Sequence, residues 1–373
     1  MGPIEEHLRY LSDSVRLDAY RRAIANCVKE GFLVADLGCG TGILGLMALQ
    51  AGASAVHEID ATWMIETARA SFSRAGLSGK ATFHHAHSAR VELQEKVDLV
   101  LCDQVGYFGF DAGVVQDFAD ARRRFLKPGG TLIPSRILLW VAGVESEASF
   151  APIAGWRSEV VPREFRWMRD LAVNGPAPVR LRTSELLTPP VALGEINLHA
   201  DNDAPFSWHA RLSTSRDGVL HGLAGWFECE LAEGVWMSNS PLAAAPIQRS
   251  QALLPIDEPV RLGAGEDIAV TIVARPGDNL TVWIVELSSG RRYKHSTWMG
   301  MPMATGNLVR LDQARVPRLN RTGVARSIIL GYCDGRLTAR DIELAVLQDH
   351  PHLFPSAAET SRFVAHVLAK DTD

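Results

Sequence analysis

The rhythm of apolar and polar positions changes twice along the 373 residues. From residue 4 to 31, Leu8, Leu11, Val15, Tyr20, Ile24 and Val28 recur at helical spacing and predict a helix. An apolar run of strand length, Leu33-Val-Ala, then ends in Asp36. A glycine turn follows (Gly38, Gly40, Gly42), then the helical pattern Ile43, Leu44, Leu46, Met47, then a short strand Ala55–Ile59 ending in Asp60. Further on, the pattern predicts a helix over 62–79, a strand at Val97–Cys102 and a helix over 113–126. A turn at Lys127–Gly130 and a strand beginning at Thr131 complete this part. Strands alternating with helices imply an α/β doubly wound parallel sheet, with ligands bound beyond the carboxyl ends of its strands.

After Pro134-Ser135 the helical patterns largely stop. Short β-rich runs take over at 137–144, 209–212, 221–231, 268–274 and 280–287, separated by turn signals such as Arg275-Pro-Gly-Asp-Asn279. Such a series predicts an antiparallel sandwich or barrel. One helical, apolar excursion near 149–171 interrupts it with Phe150, Ile153, Trp156, Phe165, Trp167 and Met168. From about Leu311 the pattern turns helical again. Thr338 with Asp341 three residues on approximates a capping box, and a third helix is expected over 357–369. We therefore expect three parts: 1–135, a Rossmann-like domain with its N-terminal helix; 136–310, a β-barrel with a helical arm; and 311–373, a small helical, winged-helix-like module.

Composition narrows the function classes. A net charge of −5, with no Lys/Arg-rich run, gives no electrostatic case for nucleic acid. The five cysteines lie far apart, which fits reduced thiols in a cytoplasmic protein and not a disulfide framework or a metal site. No apolar stretch is long enough to span a membrane, and the first residues show no signal-like apolar region.

Candidate chemistry centres on the order strand, glycine loop, helix, strand, acid, which holds a nucleoside at a sheet edge. Asp60 is placed to accept the ribose hydroxyls, at roughly 1.5–3 kcal/mol for each bond to a charged acceptor. Gly40-Thr-Gly-Ile-Leu-Gly45 also fits the dinucleotide fingerprint. Asp36 just before the first glycine argues against it, because a carboxylate there repels a pyrophosphate. S-adenosyl-L-methionine carries an ammonium and a sulfonium and no phosphate, so it suits the site. Asp36, Asp60 and Asp103 each follow a predicted strand and should converge on one crevice.

Residues 7–287 resemble the protein arginine methyltransferases. Val34-Ala-Asp-Leu-Gly-Cys-Gly-Thr-Gly-Ile-Leu44 is similar to their first motif. His7-Leu-Arg-Tyr-Leu-Ser-Asp13, with Arg16 and Tyr20, is similar to the helix that folds over their cofactor. Glu95–Tyr107 resembles the strand and loop carrying the family's paired glutamates, and Leu126–Pro134 resembles the end of its Rossmann half. The resemblance implies cofactor contacts from Arg16 (to the methionine carboxylate), Asp36, Gly38, Cys39, Gly40, Gly42, Ile43, Leu44, Asp60, Ala61 and Asp103. It also implies a homodimer formed through the arm. The candidates for catalysis are Asp103 and Asp111 as proton acceptors, with His7 and Tyr107 orienting the acceptor. Weaker similarity links Leu330, Asp334, Gly335, Thr338 and Ile342 to PqqD-type peptide-binding domains.

The departures matter. Asp103 stands at the first glutamate position, the second falls at Ala112 beside Asp111, and the pocket's His and Trp are replaced in Pro246-Ile-Gln248. A methyltransferase acting on a side chain of a peptide or protein is the leading expectation. A small-molecule N- or O-methyltransferase and a catalytically weakened scaffold are the rivals.

Overall fold

The computed structural model describes residues 3–202, 204–302 and 314–372. Two compact units divide at Pro302, so the expected boundary at 310/311 lies outside the described residues.

In the first unit, β1 (Leu33–Leu37), β2 (Ala55–Asp60), β3 (Ala81–His85), β4 (Val97–Cys102) and β5 (Leu126–Ile133) form a parallel sheet in the order β3-β2-β1-β4-β5. Leu37 pairs with Ile59 on one side and Cys102 on the other. The residues that follow these three strands, the glycine turn, Asp60 and Asp103, therefore meet at one edge. Helices α3 (Ile43–Gln50), α4 (Met64–Arg74) and α5 (Val114–Arg124) connect the strands. The sheet is close to continuously apolar where both faces are covered, and β4 reads Val-Asp-Leu-Val-Leu-Cys.

The single N-terminal helix expected over 4–31 is two helices, α1 (Pro3–Ser12) and α2 (Ser14–Cys27). Asp13 breaks the run because its carboxylate accepts from Arg16 N at 3.1 Å and caps α2. The expected turn at Lys127–Gly130 is part of β5. Gly129 takes a φ of +75°, and a register shift opposite Val97 and Leu99 absorbs the irregularity without ending the strand.

The antiparallel part begins at β6 (Arg136–Val144). It comprises β7 (Ala177–Val179), β8 (Val191–Asn197), β9 (Phe206–Ser213), β10 (Gly218–Ala232), β11 (Val235–Ser238) and β12 (Gln251–Leu262). The strands β13 (Asp267–Arg275), β14 (Leu280–Leu287) and β15 (Arg292–Ser296) complete it. One sheet runs β7-β12-β10-β6-β8 with β11 against β10, and the other runs β15-β14-β13-β9. Trp226, Phe227 and Trp283 are buried in this region. The expected arm is present but broken: α6 (Glu147–Ala154), two short 3-10 turns and α7 (Met168–Ala172). Phe150, Ile153 and Val173 pack together at its base, while Val160, Phe165 and Trp167 are exposed.

The second unit holds α8 (Arg321–Gly331), α9 (Ala339–Asp349) and α10 (Ala357–Asp371) around Ile329, Ile342, Val346, Val364 and Val367. The capping box expected at Thr338 is formed: its Oγ1 accepts from Asp341 N at 3.2 Å, and its N–H donates to Asp341 Oδ2 at 3.3 Å.

Candidate active site

A cavity of about 530 Å³ opens at the carboxyl edge of the parallel sheet. Every sequence-derived site residue except Gly42 lines it. Gly42 instead starts α3, where it lies against Phe72 and Ala68.

One half of the cavity is made by the glycine turn. Gly38 and Gly40 adopt φ of +66° and +54°, where L side chains are disfavoured. A Cβ on Gly40 would stand 2.5 Å from His7 Cε1, and one on Gly38 would overlap the Gln104 amide. Asp60 pins the turn: Oδ2 accepts from Gly40 N at 2.9 Å, and Oδ1 accepts from Thr62 N at 2.8 Å and Thr62 Oγ1 at 2.6 Å. A carboxylate offers about four acceptor positions. Three are filled by the protein, which leaves Oδ2 capacity for one more donor, and Asp60 lines the cavity.

Asp36 is 1% exposed, and its Oδ2 finds no partner among the described residues. Burial, with Asp103 and Asp60 nearby, pushes its carboxyl up to about 7 against a backbone bond from Gly45. Glu58, on β2 against Gly45, is raised too, by burial first and by Asp36 second. An orphaned acid next to a bare glycine cradle fits a ligand that carries positive charge and a ribose.

The other half is built from distant segments. Arg16 donates from Nε and Nη2 to Asp103 Oδ2, both at 2.6 Å, and from Nη1 to Tyr10 O at 3.1 Å. Tyr20 OH donates to Asp103 Oδ1 at 2.9 Å. A second guanidinium arrives from the barrel: Arg249 Nη2 donates to Asp103 Oδ2 at 3.2 Å and Nη1 to the Asp103 carbonyl at 3.4 Å. Burial alone would raise the Asp103 carboxyl, but the Arg16 and Arg249 guanidiniums outweigh it and hold it below its usual range. The Tyr10 ring lies 5.5 Å from the Arg16 guanidinium and 5.9 Å from that of Arg249.

The barrel loop is fastened in place. Asn239, fully buried, donates to Tyr107 O at 2.8 Å and Ser250 O at 2.7 Å, and accepts from Phe227 N at 2.9 Å. Gln248 N donates to Asp13 Oδ2 at 2.6 Å. Asp13 thus caps α2 with one oxygen and holds the loop carrying Arg249 with the other.

Asp111 is occupied locally. Its Oδ1 accepts from Phe108 N at 2.8 Å and its Oδ2 from Tyr107 N at 3.1 Å, closing the loop after β4. Burial raises its carboxyl, while those two N–H groups oppose the rise. Tyr107 is exposed at the rim. His7 is half-buried, and burial lowers its imidazole from 6.5, so it is neutral at pH 7. Cys39 and Cys102 are buried thiols raised by burial. No group of three or more metal-ligating side chains forms among the described residues.

Sequence reasoning did not single out Arg249, Tyr10 or Asn239. The available signal was position: Arg249 directly follows Pro246-Ile-Gln248, the loop already expected at the pocket.

Residues 34–130 match the methyltransferase domain family, and residues 136–283 match the arginine methyltransferase oligomerization subdomain. Together these cover about two thirds of the chain, in the order and with the junction that the fold shows. The chain is a methyltransferase built like the protein arginine methyltransferases. Curated relatives agree: protein arginine N-methyltransferase 1 of Dictyostelium discoideum is 27% identical over 280 residues, 73% of this chain and 82% of that protein. The probable protein arginine N-methyltransferase 6.1 of Oryza sativa subsp. japonica is 29% identical over 289 residues, 74% and 71% of the two chains. Among solved structures, the PRMT1 enzyme–prozyme heterotetrameric complex of Trypanosoma brucei with AdoHcy shares the fold. Its TM-score is 0.69 at 22% identity, over 78% of this chain and 96% of that one. Arabidopsis thaliana protein arginine methyltransferase 10 aligns with a TM-score of 0.66 at 21% identity, over 77% of this chain and 96% of that one. The methyltransferase carries, in addition, a helical unit beyond both family matches.

Proposed function

We propose that this methyltransferase binds S-adenosyl-L-methionine in the cavity and methylates a side chain of a peptide or protein. The observation that carries this reading is Asp60, locked onto Gly40 N with capacity for one more donor in the cavity lining, beside the orphaned Asp36 oxygen. Asp60 would take the ribose, Asp36 the positive charge, and Arg16 the methionine carboxylate. When bound, the cofactor supplies a methyl group on a positively charged sulfur and leaves as S-adenosylhomocysteine. The acceptor N–H or O–H loses its proton as its lone pair bonds the methyl carbon. Neutral His7, on the cavity wall, is the residue we assign to receive that proton. Asp103 is a poor proton acceptor, because two guanidiniums hold it ionised. We assign it to positioning Arg16.

The exposed Phe165 and Trp167 of the arm fit a face covered by a second copy in a homodimer. Light scattering at micromolar concentration should show the dimer, and Trp167→Glu should dissociate it. The second unit we assign to holding the substrate peptide, as its likeness to PqqD-type domains suggests. Five free cysteines suit a reducing, cytoplasmic setting, and no helix of the described residues is long and apolar enough to cross a membrane.

Calorimetry with S-adenosylmethionine, followed by transfer of labelled methyl to a peptide library, tests the reading. Tight NAD binding in its place would refute it. One observation favours a second reading: Asp103 is already taken by two arginines of the same chain, as in a cofactor-binding protein with weakened catalysis. Such a protein would bind the cofactor and label no peptide.

A further inference from the structure

Of three positions at the acceptor half of the cavity, two hold acids, and both acids are already bonded within the chain. Asp103 receives three guanidinium N–H groups on Oδ2 and the Tyr20 hydroxyl on Oδ1. Asp111 spends both oxygens on its own loop. The third position is Ala112, which has no carboxylate. The Arg249 side chain is itself only 10% exposed, so its charge is desolvated and held by its ion pair with Asp103.

We propose that Arg249 occupies, from within the chain, the place a substrate guanidinium would take on Asp103, and that the acceptor is therefore an uncharged hydrogen-bonding side chain of a peptide. A guanidinium is planar, permanently charged and best held by a carboxylate fork. Entering beside Asp103, it would meet the Arg249 cation and an acid whose charge Arg249 already balances. Burying a charge without a partner is costly. If Arg16 turns to the methionine carboxylate when cofactor binds, Arg249 and Asp103 remain as a neutral pair, so the acceptor end carries no charge to attract a cation. The Tyr10 ring beneath Arg249 and the Asp13 bond to the preceding Gln248 hold that pair closed. This inference rests on the methyltransferase reading above.

The test uses the full chain and two synthetic peptides that differ at one position, arginine against its uncharged isostere citrulline. Binding is measured by fluorescence anisotropy. The wild type should bind the citrulline peptide at least as tightly as the arginine peptide. Arg249→Met, which keeps length and removes charge, should bind the arginine peptide at least tenfold tighter than the wild type does, and methylguanidinium should compete. Arg249→Lys should show no such gain. Equal affinity of wild type and Arg249→Met for the arginine peptide overturns the proposal. So does a wild type that prefers arginine tenfold, a measurement that needs no variant to fold. Cofactor affinity is read separately by calorimetry. Its absence would remove the methyltransferase reading and leave the peptide comparison intact.

Discussion

The two halves of the cavity both rest on an aspartate that ends or follows a parallel strand, yet they are held in opposite ways. Asp60 is fixed by N–H and hydroxyl groups within 20 residues of it, and it keeps capacity for one more donor. Asp103 is fixed by guanidiniums 87 residues before it and 146 after it, and it keeps none. Neutral donors orient a carboxylate and leave its charge available to a ligand. Permanent cations cancel that charge. The cofactor half is thus a local device that travels with the strand–turn–strand unit. The acceptor half is an assembly of α2, β4 and the barrel loop, and its character depends on what the distant segments bring.

The largest way to break this contrast is Asp103→Ala. It leaves Arg16 and Arg249 buried and unpaired, and removing one partner of a buried ion pair costs about 3–5 kcal/mol. Urea denaturation of the first unit should show a loss of that size. Asp103→Asn should lose less, because it keeps the acceptor oxygen. A change under about 1 kcal/mol for Asp103→Ala would mean that solvent already screens the cluster.

Asp60→Ala comes next. It should loosen the glycine turn that Asp60 pins and lower S-adenosylmethionine affinity at least tenfold, about 1.4 kcal/mol. Unchanged affinity in calorimetry would remove Asp60 from the ribose position and, with it, the contrast between the halves.

How much of this was legible in the sequence follows the same division. The strands β4 and β14 and the convergence of Asp36, Asp60 and Asp103 could be read because each run is apolar and bounded by charge or turn residues. β12 was missed: Pro255 and Pro259 argue against a strand, but a register shift between Leu220 and Gly222 of its partner accommodates Pro255. β15, Arg-Tyr-Lys-His-Ser, is an edge strand whose polar face hides its period. Asp13 was visible as a residue but not as a helix break, since the apolar period of α1 and α2 runs on across it. Asp103 was read as a proton acceptor because the Arg249 that helps to neutralise it lies in a distant loop. No local pattern links two residues 146 apart in sequence; only the barrel loop, pinned by Asn239 and Asp13, brings them together.

The smallest effect concerns pH and sharpens the cofactor half. Asp36 titrates near 7 in the folded protein against an ordinary 3.8, chiefly through burial. Between those values the native state binds the extra proton, so this group's contribution to stability falls as pH rises from about 4 to about 7 and is constant above. Binding runs the other way. A ligand bringing an ammonium and a sulfonium favours the ionised form, which is about a tenth of the population at pH 6 and about nine tenths at pH 8. Affinity for S-adenosylmethionine should therefore rise by up to about tenfold across that interval. His7 does not reverse this: burial lowers its pKa from 6.5, and any charge it gains toward pH 6 also opposes a cationic ligand. The control is Asp36→Asn, which should flatten the profile and bind, at pH 8, more weakly than the wild type. A flat wild-type profile would leave Asp36 as a neutral strut under the glycine turn and give Asp60 sole charge of the cofactor half.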